Sequence, residues 1–160
     1  MKRFLVFLVF LVSAAPVFAH PTHHKKQARP APPAQSASGP VYEPLCCDGQ
    51  PFAVEAGSWV IAWQGEVNDV QDPHLVGSYS ASGGAGNDIV VMIGTPIDVQ
   101  NALSGHPAQL LYQSAKLTAG MFDVPLPGPG PYAIAFTNRF SLVSAKLVTA
   151  DLALAYTPAQ

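Results

Sequence analysis

Gly130-Pro131-Tyr132-Ala133-Ile134-Ala135-Phe136-Thr137-Asn138 is the stretch that decides the architecture. Tyr132, Ile134 and Phe136 fall on one side at period two, and Ala133, Ala135 and Thr137 on the other. That alternation predicts a strand with a bulky inner face and a small outer face. Upstream, Gly120 to Leu126 places Phe122, Val124 and Leu126 on one side, and Pro127-Gly128-Pro129-Gly130 forces a bend. Asp88 to Ile93 is apolar on both faces, which predicts a central strand. The residues before it, Ser82-Gly83-Gly84-Ala85-Gly86-Asn87, tolerate positive φ and predict a turn. Leu75 to Ala81 and Ser58 to Trp63 alternate as well, the latter with Trp59, Ile61 and Trp63 expected on one face. The pattern predicts an all-β, antiparallel, jelly-roll-like sandwich of about seven or eight strands. Its expected limits are residues 50 to 157.

Two segments depart from the simple period. Thr95-Pro96-Ile97-Asp98 has an N-cap, a proline at the first helical position and an acid three residues after the cap, so a short helix is expected, stopped by Gly105 and Pro107. From Phe140 to Tyr156, Val143, Leu147, Ala150 and Leu154 fit a helical stripe. Val148, Leu152, Leu154 and Tyr156 fit a strand instead. The strand is favoured, with a bulge near Leu147 to explain why the polar positions change parity between Lys146 and Thr149.

The first 49 residues read differently. Met1-Lys2-Arg3, the apolar run Phe4 to Val12 and the small residues up to Ala19 form a tripartite signal-peptide pattern. The apolar run is too short for a permanent span, which needs roughly 20 residues. A secreted or periplasmic protein with no membrane span after cleavage is expected, its mature form beginning at His20. Residues 20 to 49 read as a Pro-, Ala- and His-rich linker, extended and poor in groups to bury. Cys46 and Cys47 are adjacent, so pairing with each other would staple no distant parts of the fold; a vicinal disulfide, free thiols and a link to another chain all remain open.

The chain of 160 residues is 49% hydrophobic and only 11% charged, with a formal net charge of -2. Basic residues are too few and too scattered to neutralise a run of phosphates, which argues against nucleic acid as a partner.

The segment from His74 to Tyr156 carries Gly77-Ser78-Tyr79, Asn87-Asp88-Ile89-Val90-Val91, Gly130-Pro131-Tyr132 through Asn138, then Phe140-Ser141, Ser144-Ala145-Lys146 and Tyr156. This order resembles the GOLD domain, the β-sandwich of early-secretory cargo receptors and lipid-transfer proteins, and bacterial exported proteins with such a module. The resemblance implies a non-catalytic module that contacts protein or lipid and needs no cofactor. It does not carry cargo-receptor function over, because the cysteines that pin those domains are separated and these are adjacent. An accessory β-sandwich of secreted peptidases is a close competitor, and a structural envelope protein without a discrete ligand is a further alternative.

Candidate site residues follow from side-chain chemistry. Trp63, Tyr79 and Tyr112 are aromatic groups able to stack on a sugar or contact lipid, although at strand spacing such residues are commonly core. Arg139, the lone positive charge on an expected turn, is the first candidate for an anionic ligand. His74 and His106 both adjoin proline in turn-like sequence and are read as surface loop residues, not as a catalytic base. No Gly-x-Ser-x-Gly elbow, phosphate loop or His-Glu-x-x-His is present. No metal site is expected. A loose His20/His23/His24 cluster could hold a divalent ion only weakly, and Asp69, Asp72, Asn87 and Asp88 lack a calcium-loop spacing.

Overall fold

The structure, a computed structural model, describes residues 39–158 apart from Ala85. The signal-peptide pattern, the histidine cluster and most of the expected linker lie outside these residues.

Two antiparallel sheets face each other. Sheet A has the order β1 (Val41–Cys46), β9 (Lys146–Thr157), β4 (Gln71–Ser82), β7 (Ala119–Pro125), with β2 (Phe52–Val54) also paired to β9. Sheet B has the order β3 (Trp59–Val67), β8 (Gly130–Thr137), β5 (Val90–Gly94), β6 (Tyr112–Gln113). The expected all-β sandwich is therefore the fold, with nine strands among the described residues. The helix α1 (Pro96–Ser104) follows β5. No helix among the described residues is long and apolar enough to cross a membrane.

The quoted stretch behaves as its alternation predicts. Tyr132, Ile134 and Phe136 enter the space between the sheets with Leu75, Tyr79, Phe122, Val124, Val148 and Leu152. Phe136 is fully buried and meets Phe52 and Tyr79 edge-on at centroid distances of 5.4 and 5.7 Å, the arrangement that aromatic quadrupoles favour. The small outer face is buried too. Ala133 and Ala135 leave room for α1, whose Val99 and Leu103 pack against them. α1 starts at Thr95, whose hydroxyl accepts from the Asp98 N–H, and ends at Gly105 in the left-handed region. β5 lies between β8 and β6 and is central, as its two apolar faces predict.

Three expectations are corrected. First, β1 lies inside the segment read as linker. Its side chains are mostly exposed, so its sequence lacks the alternation of a half-buried strand; pairing with β9 makes it a strand. It sits at an edge, where a proline such as Pro44 is tolerated, and its register shifts between Pro44 and Cys46.

Second, Trp59, Ile61 and Trp63 do not share a face. The register of β3 on β8 shifts between Ile61 and Trp63, so Trp59 packs on the α1 side while Trp63 packs against the inner core. Third, β9 has no bulge near Leu147, and its pairing with β2 and β4 runs unbroken there. The parity change arises because Lys146 is itself an inward residue, 2% exposed, in line with Val148 and Ala150.

Cys46 and Cys47 form a disulfide, half-buried against the core at the start of a tight turn through Asp48 and Gly49. At Gly77, facing inward in β4, an added Cβ would come within 2.7 Å of Phe122 and 2.8 Å of Leu152. The missing side chain there leaves room for both of those large residues.

Candidate functional site

The end of β8 is the starting point. Asn138 is fully buried, and its Nδ2 donates to the carbonyls of Ser144 (2.9 Å), Val54 (3.2 Å) and Glu55 (3.3 Å). One side chain thus ties the β8–β9 connection to the β2–β3 connection. Ser141 closes the loop further: its N–H donates to the Asn138 carbonyl and its hydroxyl to that of Ser144. Beside this loop lies the β4–β5 connection. An added Cβ at Gly84, with φ of 70°, would meet the Ser144 side chain at 2.5 Å. Lys146 Nζ donates to the Gly83 carbonyl at 2.9 Å and stands 3.6 Å from the Asp88 carboxylate. Burying a lysine is costly unless it is paired and hydrogen-bonded, and here both conditions hold.

Arg139 follows the anchor and leaves the core. Its Nη1 donates to the carbonyl of Leu103 in the last turn of α1, where helix carbonyls lack internal partners and attract a cation. The guanidinium lies 5.7 Å from the Trp59 ring centroid. Lys116 Nζ stands 4.3 Å over the ring of Phe140. Between them runs a groove of about 260 Å³ floored by Val90, Met92, Ala102, Leu103 and the buried Thr137 and rimmed by Gln113, Lys116, Arg139 and Phe140. It is apolar below and cationic at the mouth. At that volume it falls below the roughly 300 Å³ at which enclosed small-molecule sites begin, so it suits contact with part of a ligand and not engulfment. Next to the groove, the apex of the β8–β9 loop exposes Leu142 and Val143 at 89% and 90%.

No family model matches the chain, and no curated protein matches it either.

Of the four residues singled out from sequence, Arg139 alone lies at this groove. Tyr79 is core, 5% exposed, and has no surface to offer a ligand. Tyr112 is half-buried with its ring on Phe122, and burial, with Tyr79 adding to it, pushes its phenol above the ordinary value. Trp63 lines a separate recess with Glu43, Glu66 and Tyr156, whose two carboxylates disfavour an anion. His74 pairs through Nδ1 with the Asp123 carboxylate on the outer face of sheet A, while His106 is exposed beyond the helix cap. Among the described residues, no group of three or more His, Cys, Asp or Glu is placed to hold a metal ion.

Lys116, Phe140, Leu142 and Val143 were not singled out from sequence. The available signal was two adjacent aliphatic residues between Ser141 and Ser144, where turn chemistry and apolar side chains conflict.

Proposed function

We propose that the protein is an exported, non-catalytic binding module, built on a GOLD-like sandwich, that contacts lipid or protein through the Arg139 end of the domain. The observation that carries this reading is the pairing of an apolar groove with two exposed cations, Lys116 and Arg139, at its mouth. That combination recognises an anionic head attached to an apolar body, as in a lipid or an acidic amphipathic peptide. The interior between the sheets is filled by aromatic and aliphatic side chains, which supports surface contact over enclosure of a whole acyl chain.

Trp59 lies under Arg139 and is a built-in reporter. Titration with lysophosphatidylglycerol below its micelle concentration is expected to change tryptophan emission saturably, and the Lys116→Gln/Arg139→Gln pair to weaken that response about tenfold or more, given about 1 kcal/mol for each cation meeting an anionic headgroup. An unchanged response in that variant would remove the cationic mouth from the binding site.

A further inference from the structure

We propose that the β8–β9 loop is a membrane-docking tip, with Leu142 and Val143 inserting into the surface of an anionic bilayer while Lys116 and Arg139 sit at the headgroups. The inference rests on the reading of the Arg139 end as the binding end and specifies its occupant. Leu142 and Val143 are the two most exposed large hydrophobic residues described, and they are neighbours at one apex. The loop beneath them is tied down through Asn138, Ser141 and Ser144, so little conformational freedom remains to be lost when the tip inserts.

Charge distribution selects the orientation. Five of the eight Lys and Arg residues precede residue 30, which leaves three against all ten acidic residues in the sandwich, a formal charge of -7. All three cations, Lys116, Arg139 and Lys146, lie at the Arg139 end. Two acids share that end. Asp88 is matched by Lys146, and Glu55 has no ion-pair partner among the described residues. The other eight acids lie elsewhere in the sandwich, so among the described residues the tip end is the face that an anionic surface repels least.

The shape of the tip argues for a bilayer over a second copy of the chain. Two projecting side chains cover far less than the roughly 800 Å² per partner of a stable protein interface. A fluid bilayer needs no complementary pocket and receives apolar groups to a depth of about 5–10 Å.

The full mature protein is tested by co-sedimentation with vesicles of phosphatidylcholine alone and of equimolar phosphatidylcholine and phosphatidylglycerol. Binding is expected only to the anionic vesicles and is expected to fall with added salt. Leu142→Ser/Val143→Ser is expected to weaken it about tenfold or more, and Arg139→Gln about fivefold. Because both loop side chains are already in solvent, the double variant is expected to keep the parent's circular dichroism and melting temperature. In a Leu142→Trp variant, brominated acyl chains are expected to quench the added fluorescence. Anionic-vesicle binding that is equal in parent and double-serine variant overturns the tip, as does the absence of bromine quenching. Failure to bind anionic vesicles also overturns it. If lysophosphatidylglycerol still binds in that case, the binding reading of the Arg139 end stands; if it does not, both fall. Preferential capture of an acidic peptide with no vesicle binding would assign the same end to a protein partner.

Discussion

Replacing Asn138 separates hydrogen-bond chemistry from shape at the junction that holds the Arg139 end of the sandwich together. The side chain is fully buried and its two amide hydrogens serve three carbonyl oxygens. Its Oδ1 has no partner among the described residues, so the donors do the work. At about 1 kcal/mol per bond, with the stranded carbonyls adding to the loss, Asn138→Ala is expected to cost about 2–3 kcal/mol. Asn138→Asp keeps the shape but turns a donor toward three oxygens into an acceptor carrying a charge. An unpaired buried charge costs about 3–5 kcal/mol, so the near-isosteric change is expected to be worse than the truncation at neutral pH. The introduced carboxyl would have its folded-state pKa raised above the unfolded value of about 3.9. Its penalty is therefore absent in acid, below the unfolded value, and grows as pH rises toward the raised folded value. Urea unfolding of the parent and both variants at neutral and acid pH measures this. An Asp variant at least as stable as the Ala variant at neutral pH would show that the amide is turned over, with oxygen facing a donor, and the account of the junction would be wrong.

Two further outcomes are expected. The Asp98 carboxyl is held below its ordinary range, first by the Thr95 hydroxyl and then by the Gln109 N–H. A depressed folded-state value means that the stabilisation is present above the unfolded pKa and is lost as pH falls through the folded one. Asp98→Asn should therefore melt below the parent at neutral pH, with the gap closing in acid; a gap independent of pH would assign the effect to the helix cap geometry alone. The Cys46–Cys47 disulfide links residues adjacent in the chain and closes almost no loop. Replacing both by serine should shift the melting temperature by no more than about a few degrees, read by differential scanning calorimetry, and a much larger loss would show that the half-buried pair carries core packing.

What was legible in the sequence was local. The alternation in β8 is strong because both of its faces are buried, one against the opposite sheet and one under α1, so each position is constrained by size. The helix was legible because its cap uses side-chain chemistry confined to four residues, Thr95 to Asp98. The misreadings are tertiary in origin. β1 is a strand only because β9 offers it a partner. One extra residue in β3 moved Trp59 and Trp63 to opposite faces, and a period-two reading cannot see an insertion in the pairing. Lys146 looked like a parity break because a lysine is rarely an inward residue, and its partners Gly83 and Asp88 lie about sixty positions away in the chain. Arg139 was reachable from sequence as an isolated turn cation. Lys116 was not, because the connection that delivers it to Phe140 follows from the order of strands.

The place of β9 has a kinetic consequence. It is the last of the described strands, yet it forms the interior of sheet A and hydrogen-bonds β1, β2 and β4. During synthesis none of those three can find its main partner until Lys146–Thr157 has emerged. Sheet B and the β4–β7 pair can form before it, but β1 and β2 have no other partner, and closure then joins residues more than a hundred positions apart in the case of β1. Such non-local pairing makes for slow folding. Sheet A therefore keeps an unfilled edge on β4 for as long as Lys146–Thr157 is withheld.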